Sequence, residues 1–207
     1  MKKLAREFYT RPDTLQIAQD LLGKILIVPT ENGKRVSGMI VETEAYLGSE
    51  DKAAHSYGNR RTKRTETMFA LGGTVYIFFI YGMYFQFNVV VGEIGAPHAI
   101  LIRAVEPVEG IETMRVRRQT VKGKISNSKM PDANLTSGPG KLCIALGIDR
   151  TFNNEDLLGE KVWLEDGRNI FGEEIVSGRR IGIDYAEEYA EKPWRFWLKE
   201  NLFVSRK

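Results

Sequence analysis

The sequence predicts an α+β domain, and three observations predict it. Near the start, Leu15, Ile17, Ala18, Leu21 and Leu22 recur at helical spacing. Two pairs of β-branched and aromatic runs then meet at short turns, as antiparallel hairpins do. Shorter helix and strand signals alternate through the remainder of the 207 residues. With 43% hydrophobic residues the chain can bury one substantial core, and nothing in its length demands a second, so residues 1–207 are expected to form one domain.

The first helix has a plausible N-cap in Asp13 and a stop in Gly23. Ile25 to Val28 and Val36 to Tyr46 flank the turn-prone Asn32-Gly33 and read as a hairpin with a long second strand. Residues 48–72 form a polar excursion, with a helical turn expected at Asp51 to His55 and a basic run at Arg60 to Arg64. Thr74 to Ile80 and Met83 to Val91 make the second hairpin, turning at Tyr81-Gly82. A strand is expected over His98 to Ala104 and a helix over Pro107 to Arg118. Gln119 to Asn134, polar and basic, is read as a mobile loop. Ser137 to Lys141 opens a helix at Leu142 to Leu146, another short helix is expected at Asn153 to Leu158, and strands at Val162 to Glu165, Ile175 to Ile183 and Arg195 to Leu198.

Composition narrows the function classes. A net charge of +3 permits a nucleic-acid partner without identifying one. One cysteine, Cys143, excludes an intramolecular disulfide framework, and two histidines, His55 and His98, weigh against a histidine-rich metal site; no metal and no cofactor are expected. The first residues lack the apolar run of a secretory signal, and Val75 to Val91 is interrupted by Gly82, Gln86 and Asn88, so no membrane span is expected and the protein reads as soluble and intracellular.

On the long strand of the first hairpin, period-two alternation puts Ile40, Glu42, Glu44 and Tyr46 on one face. Two carboxylates beside a phenol suit a base tuned by burial; a solvated strand face accounts for them equally well. Arg103, in the run Ala99 to Val105, either marks the end of its strand or is a buried cation in need of a carboxylate such as Glu44. Seven aromatics crowd Tyr76 to Phe87, and most must pack in the core; Tyr81, beside Gly82 at the turn, has little to pack against and suits a wedge between base steps. Arg60 to Arg64, with Arg115, Arg117, Arg118, Lys122, Lys124 and Lys129, either hold a phosphate backbone or form solvated faces. Gly138 to Lys141 offers backbone N–H groups and a lysine to one phosphate, without the spacing of a nucleotide-binding loop. His55 and Tyr46 could stack on a base, and the absence of His-x-Glu with Pro-Cys-x-x-Cys argues against a zinc deaminase.

Val41-Glu42-Thr43-Glu44-Ala45-Tyr46, Ala53-Ala54-His55-Ser56, Tyr81-Gly82-Met83-Tyr84 and Ser137-Gly138-Pro139-Gly140-Lys141-Leu142-Cys143 together closely resemble the alkyladenine, or 3-methyladenine, DNA glycosylases, in the same order from about Leu15 to Trp197. The resemblance implies a curved antiparallel sheet with a protruding hairpin that enters the minor groove, where Tyr81 takes the place of a flipped nucleotide. It implies Glu44 as general base, Arg103 as the residue that helps position the attacking water, and Tyr46 and His55 as pocket residues. Asn88 matches the asparagine that disfavours the exocyclic amino group of guanine, and Phe78 stands where some relatives place a pocket tyrosine. Met83, Thr62, Arg60, Arg64 and Lys141 are expected on the DNA. The implied partner is double-stranded DNA containing damaged purines, attacked by water and left with an abasic site. With no lysine nucleophile assigned, strand cleavage is not expected. A monomer is implied, cytoplasmic and nucleoid-associated in a bacterium. A damaged-base-binding module without catalysis would use the same pocket and wedge, and the basic loops alone do not separate DNA from RNA.

Overall fold

The Asp13 side chain accepts a hydrogen bond from the Gln16 N–H at 3.0 Å and starts the first extended helix where its sequence predicts. The structure, a computed structural model, describes residues 2–31, 33–121, 124–125 and 130–206. Its helices are α1 (Arg6–Tyr9), α2 (Thr14–Asp20), α3 (Ile111–Gln119) and α4 (Pro139–Leu146). Its strands are β1 (Ile25–Pro29), β2 (Arg35–Leu47), β3 (Val75–Ile80), β4 (Tyr84–Val91), β5 (His98–Glu109), β6 (Thr120–Val121), β7 (Lys124–Ile125), β8 (Trp163–Glu165), β9 (Ile175–Gly178) and β10 (Arg195–Leu198). Among the described residues no helix is long and apolar enough to cross a membrane.

Eight strands form one open, curved antiparallel sheet in the order β3-β4-β5-β2-β1-β8, with β10 joining β2 to β9; β6 and β7 pair separately. β2 changes partner along its length. Residues 35–39 pair with β1, residues 42–44 pair with β10, and β5 follows β2 along its other edge. Where the change occurs, the register with β5 skips Val41 on β2 and Arg103 on β5. Offsets of this kind bend a strand and re-aim its side chains. They also correct the alternation expected from sequence: Ile40 and Val41 both enter the main core, so Ile40 does not share the face of Glu42, Glu44 and Tyr46.

Strand periodicity divides the sheet into a packed face and a working face. Val75, Phe87, Val89, Val91, Ile100, Ile102, Ala104 and Ala45 pack with Ile17, Ala18 and Leu21 of α2 and Leu142, Cys143 and Leu146 of α4. Thr43, on the same side, donates its hydroxyl to the Ala18 carbonyl at 2.9 Å. The alternate positions, Tyr76, Phe78, Asn88, Leu101, Arg103 and Tyr46, line a cavity on the opposite face.

Other boundaries differ from the sequence reading. β5 runs five residues past Ala104 to Glu109, and the helix starts at Ile111 rather than at Pro107. Gly110 makes the switch at φ 72°, where a Cβ would meet Val36 at 2.7 Å. Residues 119–134 are not wholly loop: the β6–β7 pair and a 3-10 turn at Asp132–Asn134 lie there. A 3-10 turn at Arg150–Phe152 replaces the helix expected at Asn153 to Leu158, and the strand expected over Ile175 to Ile183 stops at Gly178. Asp51 to His55 forms turns rather than a helix. In the first hairpin Gly33 has φ 68°, while Asn32 lies outside the described residues.

Candidate active site

The cavity has a volume of about 240 Å³ and is lined by side chains of β2 to β5, by Ala53 and His55 of the loop after β2, and by Ile181, Gly182, Ile183 and Tyr185. Behind it lie two glutamates whose surroundings separate them. Glu42, fully buried, accepts four hydrogen bonds: at Oε1 from Arg103 Nε, Arg195 and the Ser205 hydroxyl, each at 3.0 Å, and at Oε2 from the Ser205 N–H at 2.7 Å. Four donors from three residues thus converge on Glu42, three of them on Oε1. Its part is to hold two buried arginines.

Glu44 is equally buried but accepts only two hydrogen bonds, with an ion pair to Arg103 beside them. The Ile181 N–H reaches Oε1 at 2.8 Å, Arg103 reaches Oε1 at 3.2 Å, and the Tyr46 hydroxyl donates to Oε2 at 2.8 Å. With two hydrogen bonds against about four acceptor positions, Glu44 keeps room for a further donor. Neither glutamate lines the cavity, but Tyr46, Arg103 and Ile181, the three residues that bond Glu44, all do. The contact between Glu44 and Arg103, one of two alternatives left by the sequence, is therefore present. Burial works against the charge of Arg103, yet the carboxylates of Glu44 and Glu42 outweigh it and hold its pKa above the ordinary value. Burial, and then the adjacent Glu44 charge and hydrogen bond, hold the Tyr46 phenol well above its ordinary pKa, so it stays a donor.

On the far wall His55 Nδ1 lies 3.2 Å from the Tyr76 hydroxyl, and its ring stacks on Phe78 at 3.7 Å. Burial, reinforced by the nearby Arg64 cation, lowers the His55 pKa to about 4, so the ring is neutral at physiological pH. The Arg64 guanidinium carbon sits 4.0 Å from the same Phe78 centroid, and two groups in contact with one centroid must occupy opposite faces of the ring. Asn88 donates Nδ2 to the backbone carbonyls of Tyr76 at 3.0 Å and Gln86 at 3.2 Å. Carbonyls only accept, so these bonds fix which end of the amide is nitrogen and prevent it from turning away.

At the β3–β4 turn the Met83 N–H donates to the Ile80 carbonyl at 3.2 Å, with Tyr81 and Gly82 at φ 54° and 68°. Tyr81 is 81% exposed and Met83 64%, and Tyr81 also borders the cavity. The basic residues are less free than their run suggests. Arg64 donates to the Phe79 carbonyl at 2.6 Å, Arg61 pairs with Glu66 through two bonds, and the Thr62 hydroxyl caps a turn by accepting from the Arg64 and Thr65 N–H groups. Arg60 is exposed, with no partner among the described residues. Arg115 pairs with Glu112 and Asp132, while Arg117 and Arg118 donate to the carbonyls of Ala145 and Leu135. Lys122 and Lys129 lie outside the described residues, as does the side chain of Lys124. Lys141, in the first turn of α4, lies 3.4 Å from the Ser137 hydroxyl; burial and then Arg118 lower its pKa. Pro139, two residues before it, borders the cavity.

Sequence reasoning missed the back of the site. Arg195 and Ser205 complete Glu42, and Ile181 completes Glu44 through a backbone N–H that no side-chain pattern signals. Arg180 and Asp51 form a fully buried pair next to them, bonded at 2.5 and 2.8 Å.

Comparison with known proteins points in one direction. Residues 7–202 match the methylpurine-DNA glycosylase family. A protein of Clostridium novyi (strain NT) is 51% identical over 209 residues, covering 100% of both chains. One of Alkaliphilus oremlandii (strain OhILAs) is 52% identical over 206 residues, covering 99% of this chain and 100% of its own, and one of Desulfitobacterium hafniense (strain Y51) is 51% identical over 208 residues, covering 100% of both. All three are provisionally named 3-methyladenine DNA glycosylases.

Proposed function

Because the chain belongs to the methylpurine-DNA glycosylase family, and is thus a DNA repair hydrolase of N-glycosyl bonds to alkylated bases, we propose that it flips damaged purines from duplex DNA and releases them with Glu44 as general base. The substrates in this reading are 3-methyladenine, 7-methylguanine and hypoxanthine. The observation that carries it is the buried Glu44 carboxylate, which accepts only two hydrogen bonds and is held by Tyr46, Ile181 and Arg103, all of which line the cavity.

A water bonded to Glu44 Oε2 attacks the sugar C1′. Its oxygen forms the new bond, its proton passes to the carboxylate, and the C1′–N9 pair leaves with the purine. Arg103, held by Glu42 and Glu44, retains N–H groups to orient that water. An N3- or N7-alkylated purine departs neutral because it begins as a cation. The neutral His55 ring adds no charge to repel such a cation. Asn88 leaves the 2-amino group of guanine without room or partner. Tyr81, with Met83 beside it, fills the gap left in the duplex, and Arg60 and Lys141 meet phosphates. Thr62 and Arg64, both bonded within the protein, shape the loop that carries Arg60. The enzyme acts as a monomer on nucleoid DNA in the cytoplasm of a bacterium, without a cofactor and without cutting the strand.

The test is release of free base from a duplex carrying one hypoxanthine or alkylpurine, with DNA binding followed separately. Release by the wild type, with binding but no release by Glu44→Gln, is expected. Binding by both proteins with no release from any lesion would make the protein a damage sensor instead. A borohydride-trapped adduct with abasic DNA would contradict excision without strand cleavage.

A further inference from the structure

We infer that Arg180, paired with Asp51, is a positioning residue that sets both walls of the cavity at once, holding the donors of Glu44 on one side and the His55 loop on the other; the part concerning Glu44 rests on its proposed role as base. Arg180 has no exposed side-chain surface, and neither has Asp51. One terminal nitrogen donates to Asp51 Oδ2 at 2.5 Å and to the Ala45 carbonyl at 2.9 Å; the other donates to Asp51 Oδ1 at 2.8 Å and to the Tyr189 carbonyl at 3.3 Å. The guanidinium carbon lies 4.7 Å from the Tyr46 ring and 5.0 Å from that of Trp194.

Each contact leads to the site. Tyr46 gives its hydroxyl to Glu44, and Ile181, the next residue after Arg180, gives Glu44 its N–H. Both hydrogen-bond donors on Glu44 are thus placed beside Arg180. On the other side Asp51 accepts from the Leu47 N–H at 3.1 Å and the Ala53 N–H at 3.0 Å, which fixes the turn that leads to His55. One ion pair therefore ties β2, the His55 loop and the Ile181–Ile183 wall together.

Stability alone is a poor reason for such a pair. Buried ion pairs are often matched or bettered by apolar side chains of the same volume. This one also leaves Arg180 Nε buried without a partner among the described residues. What an apolar replacement could not supply is a fixed distance between two walls that must receive a base between them.

Arg180→Gln and Asp51→Asn are compared with the wild type at a temperature where circular dichroism shows each to be folded. Two quantities are read: single-turnover base release, and the ratio of affinities for lesion-bearing and undamaged duplex. A fall in release of at least about tenfold, together with collapse of the affinity ratio while undamaged duplex is still bound, is expected. Folded variants that keep both quantities within about twofold of wild type overturn the inference, since a pair that only stabilises the fold moves neither below the melting transition. Failure of both variants to fold also overturns it and leaves the pair a structural strut. The affinity ratio needs no chemistry. If Glu44→Gln still releases base, the role of Glu44 fails while the ratio continues to judge Arg180.

Discussion

His55 lies on Phe78 with ring centroids 3.7 Å apart and planes 22° apart, and this stack keeps a titratable ring in the wall of the cavity. Its pKa is about 4 against an ordinary 6.5, through burial first and the Arg64 charge second. A folded-state value below the unfolded one means that the unfolded chain takes up the proton first as pH falls. The stabilisation is complete above pH 6.5 and is lost between about 6.5 and 4, at most on the order of 3 kcal/mol. Urea unfolding of the wild type and His55→Gln between pH 7 and 4 checks this: the two should converge as pH falls, and parallel curves would refute it.

Glu42 and Glu44 should part company on mutation. Glu42→Gln removes the charge that two buried arginines share, so it should destabilise by about 3–5 kcal/mol. Glu44→Gln keeps an oxygen for the Ile181 N–H and loses contact with only one arginine, so its loss should be clearly smaller while base release disappears. Equal losses of stability in denaturant titrations would contradict this division of labour.

Tyr81 adopts a left-handed backbone that a tyrosine rarely visits, and its side chain is 81% exposed. Tyr81→Asn should leave stability unchanged or raise it by up to about 1 kcal/mol. Base release should fall because the wedge is gone. Calorimetry and a release assay on the same preparation give both numbers, and a less stable variant with full activity would remove the wedge from the mechanism.

Asn88 is held by two backbone carbonyls, so the rejection of guanine proposed for it should be steric and rigid. Asn88→Ala should increase release of guanine from mismatched duplex relative to hypoxanthine. It should also cost about 2 kcal/mol of stability, about 1 kcal/mol for each lost hydrogen bond. An unchanged ratio of the two releases would assign the discrimination elsewhere.

What was legible in the sequence follows the range of the interactions. The cap at Asp13, the β3–β4 hairpin and the shared face of Glu42, Glu44 and Tyr46 depend on neighbours in the chain, and local periodicity reveals them. Arg103 could be suspected because a cation inside an apolar run needs a partner. The offset at Val41 could not, because it arises where β1 gives way to β10 along β2. The same holds for Ile181, Arg195, Ser205 and the Arg180–Asp51 pair, each of which meets its partner from more than a hundred positions away. The covering of Phe78 by His55 and Arg64 is likewise a matter of tertiary placement, invisible to any spacing rule.

The change of partner along β2 has a consequence for synthesis. Residues 35–39 can pair with β1 once the first hairpin leaves the ribosome, but beside Glu42 and Glu44 the edge opposite β5 waits for Ile181, Arg195 and Ser205. At roughly 5–20 residues per second that wait lasts on the order of 10–30 s. Until then two carboxylates and Arg103 stand in a half-built sheet.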